Sequence, residues 1–163
     1  MDSLIGDPSL GDSCFPLNKS MVTTVPWSPP PKGFVKLNVD AATNSDWNSS
    51  GVAGILRDEE GLILGSFKEA TGPGPPIMME LRAIQKGLIF FDSVKGGING
   101  RLLLESDCKL AVDWVKNGTF CPQIFVSLVR NITIKLKEVE GVIRWVARAA
   151  NIEADGMAKS AIG

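Results

Sequence analysis

The 163-residue chain contains no histidine. This absence excludes serine–histidine and cysteine–histidine catalysis, imidazole general bases and metal sites built on histidine ligands. Cysteine is scarce: Cys14, Cys108 and Cys121 are odd in number, widely spaced and without a C-x-x-C pair. A disulfide framework and a zinc knuckle are therefore disfavoured, and we predict reduced thiols. Any chemistry must come from carboxylates, lysines or metal ions bound by oxygen ligands.

Long hydrophobic runs are also missing. The longest apolar stretches, such as residues 87–91, end at charged residues well before the roughly 18–20 residues that a membrane span requires. The first residues lack the basic segment followed by an apolar segment that is typical of a secretory signal. We therefore predict a soluble intracellular protein, in the nucleus or the cytoplasm, that is not secreted and has no membrane partner.

Charge of either sign is nearly balanced, with 17 basic and 18 acidic residues and a net charge of −1. The chain as a whole is thus no electrostatic trap for nucleic acid. Its length and its 44% of hydrophobic residues fit one domain with a sizeable core. Residues 1–32 contain proline, glycine and serine and show no amphipathic periodicity, which predicts a flexible arm or linker. One domain is predicted to follow at 33–163.

The hydrophobic patterns predict a three-stranded antiparallel start followed by a helix. Residues 34–40 alternate, with Val35, Leu37 and Val39 on one face. Residues 51–58 and 62–68 flank a short turn that contains Gly61, as in a hairpin. Apolar residues then recur at helical spacing from Ile77 to Phe91.

The second half of the domain predicts two more strands. Residues 101–106 form an apolar run typical of a buried parallel strand, and residues 142–146 form the last strand. Helices are predicted from about residue 107 to Asn117, after Pro122, and from a cap at Asn151 to Ala161. The order β-β-β-α-β-α-α-β-α predicts an α/β fold: a five-stranded mixed sheet with helices on both faces.

Four carboxylates lie at notable positions: one is on an apolar helix face, and the other three are at ends of strands or helices that can meet at one point of the fold. Glu80 lies on the apolar face of its helix, Asp40 near a strand end, Asp107 after the buried strand, and Asp155 in the first turn of the last helix. Three of them have a simpler explanation: Glu80 reaches water at the edge of the apolar face, Asp107 is an N-cap, and Asp155 interacts favourably with the helix N-terminus. If they converge, clustered acids need neutralisation, and oxygen ligands select Mg²⁺ or Mn²⁺.

Four segments surround these carboxylates: NVDAA (38–42), MELRA (79–83), ESDCKLAV (105–112) and AANIEADGMAK (149–159). In this order and spacing they resemble a ribonuclease H domain of the plant type related to non-LTR retroelement reverse transcriptases. Residues 27–38 are similar to the linker that precedes the first strand in that group, so the resemblance covers about residues 27–162.

The resemblance implies a ribonuclease H-like fold and a metal-dependent hydrolase. Asp40, Glu80, Asp107 and Asp155 would be the catalytic, metal-binding carboxylates, holding two Mg²⁺ ions, with Mn²⁺ as a substitute. The implied activity is that of an endonuclease that cuts the RNA strand of RNA–DNA hybrids and leaves 3′-hydroxyl and 5′-phosphate ends.

Two departures from the family favour an alternative. The loop histidine of many active members is missing, and its nearest counterpart is Arg148, which can clamp a phosphate but cannot relay protons. The segment between Trp114 and Phe125 is short and holds only one lysine, where bacterial enzymes often have a basic protrusion. The alternative is a catalytically weak or inactive module for nucleic-acid binding or protein interaction, with the N-terminal arm as a possible contact for a protein partner.

Three residues are candidate contacts to nucleic acid. Arg148 would bind a phosphate, whereas Asn44 and Ser106, beside the proposed metal site, would contact a ribose 2′-hydroxyl. Trp114 and Trp145 are predicted to lie in the core rather than to form stacking platforms.

Overall fold

The computed structural model of the protein describes residues 26–118 and 120–162. Its strands are β1 (Phe34–Thr43), β2 (Ser50–Arg57), β3 (Ile63–Ala70), β4 (Arg101–Ser106) and β5 (Val142–Trp145). Its helices are α1 (Pro76–Val94), α2 (Lys109–Asn117), α3 (Val126–Glu138) and α4 (Ile152–Ala161), with short 3-10 turns at Lys95–Gly97, Gln123–Phe125 and Arg148–Asn151. The order of strands and α-helices confirms the predicted one.

The five strands form one mixed sheet in the order β3-β2-β1-β4-β5. Strand β1 pairs with β2, and β2 with β3, in antiparallel fashion, whereas β4 runs parallel to both β1 and β5. The β2–β3 turn closes through the Gly61 amide, which donates to the Asp58 carbonyl at 3.0 Å, and Gly61 has a φ of +84°. This positive φ is the reason why glycine suits the turn, and the predicted fold class is confirmed.

The two faces of the sheet are covered by different helices. Helix α1 packs on β1 at the face of Val35, Leu37 and Val39, and a Cβ atom at Gly87 would lie only 2.8 Å from Val39 Cγ1. Helices α2 and α3 pack beside α1. Helix α4 covers β1 and β2 on the opposite face, so that the alternate residues of β1 are buried as well. Polar side chains on β1 thereby become interior groups that need partners.

Several local predictions need correction. Helix α2 begins after Cys108, so Asp107 is not its N-cap. Asn151 does precede α4, but its side chain makes no capping hydrogen bond because it is turned toward β1. Trp145 is 45% exposed rather than part of the core, since β5 is an edge strand. Trp114, by contrast, is buried as predicted, and it stacks on Phe125.

Other predictions are only partly covered by the described residues. Cys108 and Cys121 are free thiols, and Cys14 lies outside the described part of the chain. Residues 1–25 of the predicted arm also lie outside it, and the boundary at residue 32 stays a prediction. Within residues 26–118 and 120–162, no helix has both the length and the apolar character needed to cross a bilayer.

Candidate metal centre

Three of the predicted carboxylates converge at one end of the sheet. Asp40, Glu80 and Asp107 each offer a carboxylate oxygen, and these three atoms lie within 4.8 Å of one another. Parallel pairing explains two of the positions: Asn38 of β1 is the register partner of Glu105 of β4, and the aspartates follow two residues later on both segments. Glu80 reaches the same point from the second turn of α1, which packs on β1.

The site holds more negative charge than its surroundings favour. Burial, followed by the charge of Asp107 and then that of Asp155, raises the pKa of Asp40 to about 9. Burial and the charges of Asp40 and Asp107 raise the pKa of Glu80 well above its usual range. Burial also raises the pKa of Asp107, although the Arg148 charge and the Asn151 amide act in the opposite direction. Without a counterion, the cluster therefore favours bound protons.

The donor atoms fit a hard divalent cation. Glu80 Oε1 is shielded from solvent and has no hydrogen-bond partner among the described residues. A buried carboxylate oxygen without a partner is costly, and a bound cation removes that cost. Because the three ligands are all oxygens, the site suits Mg²⁺ or Mn²⁺ better than softer metals.

The fourth predicted carboxylate is adjacent but is engaged elsewhere. The charge of Asp155 contributes to the raised pKa of Asp40, which locates Asp155 beside the cluster. Its Oδ2 forms an ion pair with Lys159 Nζ, one turn further along α4, at 2.9 Å. The group of mutually close ligand atoms does not include Asp155. Its role as a metal ligand stays a prediction, and Lys159 is a neighbour that the sequence analysis did not identify.

The three candidate nucleic-acid contacts differ in their surroundings. Arg148 is exposed, and its charge opposes the raised pKa values of Glu80 and Asp107. The Asn44 amide donates to the Ser49 hydroxyl at 2.8 Å, within the loop that follows β1. Their contacts to nucleic acid stay predictions, with Arg148 the one whose charge reaches the carboxylates.

Ser106 is fully buried at the end of β4. Its hydroxyl accepts a hydrogen bond from the Cys108 amide at 3.1 Å, where it fixes the turn that carries Asp107. Trp145 also contacts this turn, because its indole N–H donates to the Asp107 carbonyl at 3.2 Å. Both side chains support the position of Asp107, and a ribose contact by Ser106 stays a prediction.

A set of polar side chains lies directly behind the carboxylates and was missed by the sequence analysis. We call it the buried polar layer, and it consists of Lys36, Asn38, Glu105 and Asn151, each no more than 4% exposed. The only sequence signal was spacing: Asn38 and Glu105 precede Asp40 and Asp107 by two residues. Side chains two residues apart on a strand share a face, so the layer and the cluster adjoin.

Comparisons with known proteins agree with this geometry. The reverse transcriptase-like family model matches residues 38–161. A curated protein of Arabidopsis thaliana named "Putative ribonuclease H protein" is 31% identical over 137 residues, which are 83% of this chain. The match covers 22% of the Arabidopsis protein, so the present chain corresponds to about a fifth of that relative.

Solved structures show the same fold at low sequence identity. The N-terminal RNase H domain of a Mycobacterium tuberculosis protein has a TM-score of 0.69 and 22% identity, covering 80% of this chain and 94% of that one. LC11-RNase H1, isolated from compost and solved with an RNA/DNA hybrid, has a TM-score of 0.70 and 17% identity, covering 78% and 96%. With its acidic centre, its strand order and the matched residues 38–161, the chain belongs to the reverse transcriptase-like family and has a ribonuclease H-like domain.

Proposed function

We propose that this domain is a divalent-metal-dependent endonuclease that cleaves the RNA strand of RNA–DNA hybrids and leaves 3′-hydroxyl and 5′-phosphate ends. The observation that carries the proposal is the convergence of Asp40, Glu80 and Asp107, with Glu80 Oε1 buried and unpaired among the described residues. The substrate class is supported by the hybrid bound to LC11-RNase H1, a protein of the same fold.

The residues divide into ligands and substrate contacts. Asp40, Glu80 and Asp107 would hold divalent ions, with Asp155 completing the site for a second ion. Ions bound there supply Lewis-acid stabilisation of a phosphoryl group and lower the pKa of a bound water. Arg148, exposed beside the cluster, would orient a phosphate of the substrate strand by charge-assisted hydrogen bonds.

Proton transfer has to proceed without a histidine. Arg148 keeps its proton at any physiological pH, so it can neither accept a proton from water nor return one to the leaving oxygen. We propose that solvent carries these protons, that turnover is slow, and that it requires bound metal. The site is open to that solvent, since Asp107 and Asp155 are only partly buried.

Cleavage of a strand-labelled RNA–DNA hybrid tests the proposal, first with Mg²⁺ and then with Mn²⁺. We expect cuts in the RNA strand by the wild type, and at least a 100-fold loss in Asp40→Asn and Glu80→Gln, because each substitution removes a ligand charge. The exposed Glu138→Gln is the matched control and should cleave like the wild type. No cleavage by folded wild-type protein with either ion would contradict the proposal.

A second candidate is a non-catalytic binding module. It is favoured by Arg148, which stands where many active members of the family have a histidine and which cannot transfer protons. In that case folded protein binds the hybrid without cutting it. Because phosphate contacts depend on salt, Arg148→Ala would weaken this binding and reduce its salt dependence. A filter-binding titration run beside the cleavage assay separates the two candidates.

A further inference from the structure

The buried polar layer forms a continuous set of hydrogen bonds between elements that carry the acidic residues. Asn38 Nδ2 donates to Glu105 Oε1 and to Asn151 Oδ1, both at 3.0 Å. Asn151 Nδ2 in turn donates to the Val39 carbonyl at 2.9 Å, directly before Asp40. These hydrogen bonds connect β1, β4 and the residue that precedes α4.

Three of the four layer residues are followed, a few residues further along the chain, by a carboxylate predicted for the metal centre. Asn38 and Asp40 lie two residues apart on β1 and share a face, whereas Asp107 lies in the turn after β4 and Asp155 in the first turn of α4. The pairs are Asn38 with Asp40, Glu105 with Asp107, and Asn151 with Asp155. The separation of the three segments at the layer therefore sets the separation of three carboxylates.

Trp27, in the segment that precedes β1, packs against this layer. Its indole N–H donates to Asn38 Oδ1 at 3.0 Å. The ring also contacts two cations, with Lys36 Nζ 5.2 Å and the Arg57 guanidinium carbon 5.5 Å from its centroid. Trp27 lies eleven residues before Asn38 and outside the residues that the family model matches.

The indole also fixes the direction of the amides. An indole N–H can only donate, so Asn38 must present its oxygen to Trp27 and its nitrogen to Glu105 and Asn151. Asn151 then has its oxygen toward Asn38 and its nitrogen toward the Val39 carbonyl. Loss of the indole donor leaves a buried amide oxygen without a partner and permits the opposite orientation.

We propose that Trp27 is a positioning residue for the metal centre: through Asn38 and Asn151 it holds β1, β4 and α4 at the separation that metal binding requires. This inference rests on the proposed function, because it assigns Trp27 a role in the affinity of that same site for divalent ions. Trp27 acts through the layer, since its hydrogen bond is made to Asn38.

The test compares Trp27→Phe, which keeps a ring but removes the donor, with Ser28→Ala. Ser28 contributes its backbone carbonyl to Lys36, so its side chain is a matched control in the same segment. Two quantities are measured: hydrogen exchange of the Asn38 and Asn151 side-chain amides by NMR, and the Mn²⁺ dissociation constant by calorimetry. For Trp27→Phe we expect exchange about 5-fold faster or more and a dissociation constant about 3- to 10-fold higher, the range of one lost hydrogen bond. Ser28→Ala should match the wild type in both.

A second control separates positioning from general stability. Ile132→Val trims a fully buried side chain in α3, away from the layer, and should lower stability without changing Mn²⁺ affinity. Unchanged exchange and affinity in Trp27→Phe would overturn the inference, as would an equal loss of affinity in Ile132→Val. Wild-type protein that binds no Mn²⁺ would instead overturn the proposed function, and this inference with it.

Discussion

The buried polar layer and the carboxylate cluster are neighbours with opposite electrostatic balance. In the layer, Glu105 Oε2 is contacted by Lys36 Nζ at 3.2 Å and by Arg144 Nη2 at 2.6 Å. In the cluster, the charges that act most strongly on Asp40 and Glu80 are those of other acids, and the pKa values of both residues are raised. The protein supplies cations to the first group and leaves the second to be neutralised from outside.

The same difference separates a structural group from a functional one. A buried charge that already has its partners holds segments together, and the loss of one partner is strongly destabilising. A buried group of acids that lacks cations destabilises the metal-free fold and binds protons or metal ions in compensation. Glu105, which has cationic partners, and Asp107, which belongs to the acidic cluster, are only two residues apart in the sequence.

The largest expected effect is in the layer. Glu105→Gln leaves the Lys36 ammonium, 1% exposed, without its full counter-charge, and should lower the free energy of unfolding by about 3–5 kcal/mol. Urea denaturation measures the loss, and Glu60→Gln in the exposed β2–β3 turn is the matched control. A loss below about 1 kcal/mol would mean that Glu105 is not the counter-charge on which the layer depends.

An intermediate effect of opposite sign is expected in the cluster. Because the pKa of Asp40 is about 9 in the fold, folded metal-free protein binds this proton more tightly than unfolded chain does. This contribution is fully present below about pH 4 and is lost as the pH rises toward 9. At pH 8 in chelator, Asp40→Asn should therefore be about 1–2 kcal/mol more stable than the wild type, and the difference should vanish near pH 4.

Denaturation at pH 4, 6 and 8 measures this trend, with Glu138→Gln as the exposed control. An Asp40→Asn advantage that is equal at all three pH values would contradict the raised pKa as its cause. Saturating Mg²⁺ should stabilise the wild type at pH 8 and have less effect on Asp40→Asn, because the variant lacks one ligand.

The smallest expected effect is at the border of the cluster. Lys159 is 67% exposed, and its pair with Asp155 spans one helical turn, so Lys159→Gln should change stability by less than about 0.5 kcal/mol. Removing its positive charge frees Asp155 and should lower the Mg²⁺ concentration for half-saturation by about 2- to 5-fold. Calorimetric titration checks this, with Lys116→Gln at the end of α2 as the control; a higher Mg²⁺ requirement would contradict it.

Much of the fold followed from local patterns in the sequence. Alternation predicted β1, the apolar run predicted β4, and the spacing from Ile77 to Phe91 predicted α1, because each pattern records which side meets the core. The same logic located Glu80 on an apolar face, and three of the four predicted carboxylates come together. The strands, the helix and the convergence of these carboxylates depend on residues close in sequence or on the pairing of two parallel strands.

The missed features depend on distant partners. The polar face of β1 is buried because α4, more than 100 residues later, packs over it, and no local pattern reports this. Asn151 occupies an N-cap position, yet its amide bonds the Val39 carbonyl instead. Trp145 has the composition of a core residue, but its exposure follows from the edge position of β5. Side-chain direction at such positions is a tertiary property.

Asn151 of the buried polar layer and Asp155 beside the cluster come from the last part of the chain described, in the turn before α4 and in α4 itself. During synthesis, β1 to β5 leave the ribosome before α4 does, so the acidic end of the sheet is assembled last. Until then, the face of β1 that carries Asn38 and Asp40 lacks the packing of α4, and only residues from the segment before β1, such as Trp27, can cover part of it. A nascent or truncated chain that lacks this helix also lacks Asp155 and the packing of α4 on β1 and β2. A comparison of divalent-ion affinity in full and shortened chains would therefore report how much this late packing step contributes to the centre.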